Sequence, residues 1–452
     1  MEGASLLIIN PAFATDAIWE GGVNTSGNPY DNKDDDDVVN GKVPSTSGTY
    51  DNINVHVYGT PSSCGRTSEA WVVDYWSDGK KLTVKEGGSV EIVNANKYAG
   101  TDNNGAIYAM RNGTINFTNL ESVYLASVGG KEEDNDSTAI TVKKDSTVNI
   151  SGGTVQIIGS VDVSPYTSNL KPEYPNAQVT MKLSGKDSFW YGSAIGENEN
   201  TKNTVNVTLE DGASWIYYNS GSKLSKYLSQ GGRKLSNLTL KGGVVILDDT
   251  LIDSIYEKTE INTTEKEKNL YGDDGKHFLS EYRTDEGKHF AVNITNLKGA
   301  GIFKIDLDWA TNKGSKYYTS NSDFINITNS EASTQQLVEF NHDKAHLIDM
   351  TVGNKLYFAK VTDGNTSFVT SADGLVENRA DEVNDFYYGT ESELTDGNTY
   401  YFLTKKALNF NNENVTFTKG ATQASYLLAT EMDTLNKRRG ESRYVTGTNN
   451  GL

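Results

Sequence analysis

Gln178-Val-Thr-Met-Lys-Leu-Ser184 runs into Gly185-Lys-Asp187 and then Phe189-Trp-Tyr191: an alternating apolar–polar run, a glycine turn and a second run. In an extended chain Val179, Met181 and Leu183 share one face, which must be buried. The phrase returns at an offset of 26 residues, as Val205, Val207 and Leu209, then Glu210-Asp-Gly212, then Trp215 and Tyr217. Upstream, Ala106-Ile107 aligns with Ala139-Ile140, and Thr114-Ile-Asn-Phe117 with Thr147-Val-Asn-Ile150, at an offset of 33. Leu82-Thr-Val84, Glu86-Gly-Gly88 and Val90-Glu-Ile92 state the same theme earlier. Imperfect repeats of this size imply stacked units, each burying a face on the next.

Two β architectures compete. A sandwich needs antiparallel hairpins with short turns. A right-handed parallel β-helix has short strands, variable turns and coils of uneven length. The uneven offsets favour the β-helix. Some ten coils between residues 50 and 300, each advancing about 4.8 Å, predict a rod of roughly 50 Å. Asp34–Asp37 and Glu132–Asp134 read as acidic excursions, and Tyr256–Lys288 as an outward loop whose Gly275-Lys-His-Phe278 is echoed by Gly287-Lys-His-Phe290.

Composition agrees. Hydrophobic residues make up 36% of the 452, with 43 Gly and only 7 Pro. So few aliphatic residues suit a narrow core rather than one large globule. Disorder is the competing reading, opposed by 25 Tyr, 14 Phe and 6 Trp in clean alternating segments. A net charge of −19 argues against nucleic acid or a bare anionic membrane as partner, since phosphate contacts need clustered cations. Cys64, the single cysteine, can form no intramolecular bridge and reads as a small packed thiol. Met1–Ala14, ending Ala12-Phe-Ala14, fits the end of a secretory signal cut before Thr15, although Glu2 has the wrong sign. An ordinary first strand is the alternative. No apolar run reaches the ~18 residues of a membrane-crossing helix.

From Asn293 the pattern changes. Leu297-Lys-Gly-Ala-Gly-Ile-Phe-Lys-Ile-Asp-Leu-Asp308 precedes Ser322-Asp-Phe-Ile-Asn-Ile-Thr328, then Gly353-Asn-Lys-Leu-Tyr-Phe358 and Gly397-Asn-Thr-Tyr-Tyr-Phe402. In the tail, Ala424, Leu427, Leu428, Glu431, Met432 and Leu435 recur at helical spacing before Leu435-Asn-Lys-Arg-Arg-Gly-Glu441, and the sequence closes on Asn450-Gly-Leu452. In this order the motifs resemble the passenger domain of a type V autotransporter, of the pertactin-like, self-associating adhesin class.

The resemblance implies four parts: a signal remnant (1–14), a β-helical passenger (15–290), a pertactin-like autochaperone region that caps the helix and folds first (291–410), and a linker with a short C-terminal α-helix (411–452). That helix, with Leu428, Met432, Leu435, Asn436, Lys437 and Arg438, would thread an outer-membrane β-barrel encoded beyond Leu452. A twelve-strand pore would take roughly 250–300 further residues. Relatives that release their passenger cut between two asparagines here. This chain has Asp433-Thr434 instead, which puts Asn cyclisation in doubt and leaves an acid-assisted cut, another protease or retention on the cell. The implied setting is the surface of a Gram-negative bacterium, as a virulence adhesin or aggregation factor exported through the periplasm. Partners would be a host-cell or neighbouring-cell protein or glycan, or a second copy of the chain. No cofactor and no metal is expected.

Catalysis is the alternative. No Gly-x-Ser-x-Gly elbow occurs, and Gly192-Ser-Ala-Ile-Gly196 holds its serine in the wrong place. The Gly-Asp-Ser-Gly-Ser and Gly-Asp-Ser-Leu blocks of passenger proteases and esterases are also absent from the sequence. His342 and His346 are four apart, the spacing of helical metal ligands, but lack the Glu of an H-E-x-x-H run. Asp34–Asp37 lack the surrounding pattern of a calcium loop. Asp248-Asp249 and Asp306 with Asp308 are the carboxylates that could act on polysaccharide. Of the aromatics in Phe189-Trp-Tyr191 and Trp215-Ile-Tyr-Tyr218, half should be packing and the outward half an interaction surface. A passenger kept only as scaffold or decoy is the third reading.

Overall fold

The computed structural model describes residues 15–19, 48–59, 71–73, 79, 81–94, 106–109, 111–127, 138–164, 166–168, 171–173, 176–196, 202–218, 233–247, 289–319, 321–342, 344–370, 376–377 and 386–407. The expected signal remnant, Cys64, both acidic excursions, the whole of the 256–288 stretch, Asp248-Asp249 and the expected tail helix with Asp433 and Thr434 lie outside them.

The runs on either side of each glycine turn do not pair with one another. Leu82–Lys85 and Ser89–Asn94 belong to a single bent strand, Lys81–Asn94. Each half pairs, parallel, with its counterpart one coil on: Val84 with Phe117, and Val90 with Val123. That excludes a sandwich of hairpins and makes the chain a parallel β-helix. Its first face climbs through Val84, Phe117, Ile150, Met181, Val207, Leu238 and Leu297, all but fully buried. A second face climbs from Ile92 through Leu125 and Ile157 to Trp190, Trp215, Val245 and Phe303. A third, separate sheet of five short strands includes 107–109 and Thr138–Val142. Three inward faces meet in one narrow core of mainly aliphatic residues, with aromatic ones such as Phe117, Trp190 and Phe303 among them.

Between residues 48 and 300 the first face holds eight described rungs rather than ten, starting at 48, 81, 114, 147, 178, 204, 235 and 291. Leu238 pairs directly with Leu297, so no rung separates them although the chain between is the longest connection in the ladder. The corner between the first two faces forces backbone into left-handed conformations. Gly88 has φ of 73°, and a β-carbon there would lie 2.1 Å from the carbonyl oxygen of Ile53 in the coil before. Only glycine fits both constraints.

The alignment at 26 holds on the first face, where Val179 pairs with Val205, but slips by one residue after the turn. Phe189 pairs with Ser214, Trp190 with Trp215 and Tyr191 with Ile216. The lower coil spends one residue more on its corner, and with a side-chain period of two that residue exchanges the faces. Trp190 and Trp215 therefore both point inward and stack, centroids 5.1 Å apart at 4°.

The ladder continues past residue 291 through Phe324–Ser330 and Lys355–Val361 on the first face, and Gln335–Glu339 and Ser367–Thr370 on the second. Then the pairing sense reverses. Phe386–Thr395 and Asn398–Ala407 form an antiparallel hairpin, and its second strand pairs antiparallel with Lys355–Val361. The two aromatic strands read from the sequence are these partners, Tyr357 facing Phe402. An antiparallel hairpin laid on the last coil occupies the edge that a further coil would otherwise take.

Candidate functional site on the outer face and cap

Outward positions on the first face carry a ladder of amides and hydroxyls. Thr83, Asn116, Asn149, Thr180, Asn206, Asn237, Asn296 and Asn329 stand in register. Asn149 Nδ2 donates to Asn116 Oδ1 at 2.8 Å, Asn237 to Asn206 at 2.6 Å, Asn296 to Asn237 at 3.0 Å and Asn329 to Asn296 at 3.2 Å. Each asparagine donates one amide hydrogen to the coil before it. Asn296 Nδ2 donates as well to the Ser236 carbonyl at 3.1 Å, and Asn206 Nδ2 to the Val179 carbonyl at 3.4 Å. The signal was in the sequence: the third residue of Thr114-Ile-Asn and of Thr147-Val-Asn is the ladder residue.

The outward aromatics do not form the expected exposed surface. Phe189, Tyr191, Ile216 and Ile246 face away from the main core yet are buried in a second apolar cluster. Tyr191 stacks on Tyr218 at 5.1 Å. The large exposed apolar side chains among the described residues lie instead near the cap: Tyr317, Tyr318, Ile348, Val352 and Leu394.

Within the cap Glu393 collects Lys316, Lys355 and the Tyr357 hydroxyl, the last at 2.8 Å. The hydrogen bonds from Lys316 and then Lys355 hold its carboxyl at about 2. Lys316 also lies 5.6 Å from the ring centroids of both Tyr357 and Tyr400. Burial, then the bond to Glu393, pushes the Tyr357 phenol upward.

Of the candidate catalytic groups, Asp308 serves the backbone. Asp308 caps the short helix Trp309–Asn312, accepting from Ala310 N at 2.8 Å and Thr311 Oγ1 at 2.8 Å, with His346 Nδ1 at 2.9 Å. Burial raises its carboxyl, but those bonds outweigh burial and leave it below the usual range. Asp306 lies 3.9 Å from His289 Nδ1, and the fully buried Asp323 accepts backbone N–H from Phe290 and from Asp306, both at 2.7 Å. His342 packs on Phe340, and His346 occupies a left-handed position before the turn Leu347–Asp349, so the helical spacing of the two has no helix to act on. Ser193 is buried, with its Oγ taking a 2.7 Å bond from Arg233. Among the described residues no group of three His, Cys, Asp or Glu could hold a metal ion, and no helix is long and apolar enough to cross a membrane.

No family model and no curated protein matches this chain.

One cleft on the outer face, of about 310 Å³, is lined by Arg233, Lys234, Asn293, Asn326, Lys360 and Thr362 among others. It joins residues more than a hundred positions apart in the sequence and belongs to no motif. Only the register of the coils brings them together.

Proposed function

We propose that the chain is the passenger of a bacterial surface protein of the autotransporter kind, acting as an adhesin or aggregation factor through its outer faces. The observation that carries this reading is the outer ladder: asparagine, with threonine at two rungs, repeated coil after coil along the solenoid. Such a surface offers many weak, equivalent contacts, and repeated weak contacts add up to firm attachment when they engage together. The antiparallel hairpin on the last coil supports it too, since a cap at that end suits a solenoid of this lineage. The partner is a protein or glycan of a host or neighbouring cell, or a second copy of the chain, at the outer surface of a Gram-negative bacterium.

Fusion to an outer-membrane β-barrel and display on an otherwise non-adherent bacterium is the test. Displaying cells are expected to settle faster and to bind surfaces or one another without chemical turnover. Polysaccharide cleavage by the purified chain that disappears in Asp306→Asn would replace this reading with a catalytic one. Cells that neither clump nor attach would sink it.

A further inference from the structure

The cleft carries a charge opposite to that of the protein around it. With a net charge of −19, most of this surface should repel an anion. Yet Arg233, Lys234 and Lys360 all line one cleft, and no carboxylate among the described residues lines it. Lys234 and Lys360 are half-buried and have neither ion pair nor hydrogen bond among the described residues. The nearest acid in sequence, Asp363, is already held by Ser330 N at 2.6 Å and Ser330 Oγ at 3.1 Å.

Register orders these groups into a column. Leu235 pairs with Ile294, placing Lys234 beside Asn293, which pairs with Asn326, which pairs with Lys360. The two ammonium groups thus rise from coils three rungs apart, about 14 Å at the usual strand spacing. Between them stand two amides. Asn326 donates to Asn293 Oδ1 at 3.1 Å, and Asn293 to the carbonyl of Arg233 at 3.3 Å, which fixes both and leaves one hydrogen on each facing out. The buried Arg233 guanidinium turns instead to Ser193 of an earlier coil, at 2.7 Å, so Arg233 lends the column its carbonyl and the two lysines supply the charge.

A single small anion would meet only one end of this column. A ligand fitting all of it must be extended, bear negative groups toward both ends and offer hydroxyls to the amides and to Thr362 between. We infer that the cleft binds an anionic oligosaccharide, one bearing sulfate or uronate groups. The inference rests on the adhesive reading for its cellular role alone, since the chemistry of the cleft can be measured on purified protein.

The experiment titrates the full chain with a heparin-derived tetrasaccharide, short enough to engage the cleft without lying along the acidic surface. Maltotetraose is the neutral counterpart. Binding of the charged sugar alone is expected, weakening as salt rises and screening shortens. Lys234→Gln and Lys360→Gln should each cost about tenfold in affinity, the low end for a hydrogen bond to a charged group. The exposed Lys186→Gln, in a corner turn of an earlier coil and outside the cleft lining, should leave affinity unchanged. Unaltered circular dichroism and melting in the variants would show that they fold. No binding of the charged sugar, equal binding of maltotetraose, or full affinity in the double lysine variant would each overturn the inference. Clumping of displaying cells is scored separately: its absence beside intact tetrasaccharide binding overturns adhesion and leaves the cleft assignment standing.

Discussion

Glu393 shows how one side chain can hold two structural levels together. It lies in the cap hairpin, whereas Lys355 and Tyr357 lie in the last coil and Lys316 in the loop after the short helix. Its carboxyl has an ordinary value of 4.5 and is held at about 2 in the folded protein, chiefly by the bonds from Lys316 and Lys355. A carboxyl depressed on folding contributes stability above its unfolded value and loses it as pH falls toward its folded one. Melting of the cap should therefore become easier between pH 4.5 and about 2, the interval between those two values. Glu393→Gln should lower the melting temperature at neutral pH, because Lys316 and Lys355 then face each other uncompensated, and should flatten the acid limb of a melting-temperature profile. An acid limb as steep as that of the parent would show that the cap does not depend on this carboxylate. The half-buried Asp308 shows the same economy: a carboxylate that a motif search reads as chemistry accepts a backbone N–H and caps a helix end.

At the scale of the strand, the alternating pattern told which residues face inward wherever a run was uninterrupted. Val179, Met181, Leu183, Val205, Val207 and Leu209 are all buried, as their spacing required. Register across a corner was not legible, because corner length is set by turn geometry and leaves no mark on the alternation. One extra corner residue put Trp190 beside Trp215 and moved Phe189 and Tyr191 outward. The asparagine ladder was legible as repeated residues, but its hydrogen bonds follow only once the coils are stacked. The basic cleft was not legible at all, since its residues share no local pattern. The paired tryptophans make the strand-scale prediction. Trp215 is buried, stacks on Trp190 and donates its Nε1–H to the Gly192 carbonyl at 3.0 Å. Trp215→Ala should cost about 3–5 kcal/mol, the usual range for emptying an aromatic site in a core. Trp215→Phe keeps most of the volume and should recover the larger part. Equal losses for the two variants in chemical denaturation would mean that the indole N–H bond, rather than the packed ring, carries the site.

In the whole molecule each coil contacts mainly its two neighbours, so stability propagates along the solenoid as a chain of interfaces and its ends are the weak points. The hairpin matters because it closes one of those ends with buried aromatic groups as well as backbone bonds. Tyr388 is fully buried and donates to the Leu347 carbonyl at 2.8 Å, and Tyr401 donates to the Thr366 carbonyl at 2.7 Å. Phe117, equally buried, sits far from the cap in a central coil. Tyr388→Ala and Phe117→Ala should each remove about 3–5 kcal/mol, by the cavity that each leaves. The two should differ in where protection is lost. In native-state hydrogen exchange, which resolves opening region by region, Tyr388→Ala should speed exchange in Phe324–Ser330 and Lys355–Val361 while Thr114–Ser127 stays protected. Phe117→Ala should do the reverse. If both variants accelerate exchange equally along the entire ladder, the solenoid opens as one cooperative unit, and the cap cannot be described as the seal of one end.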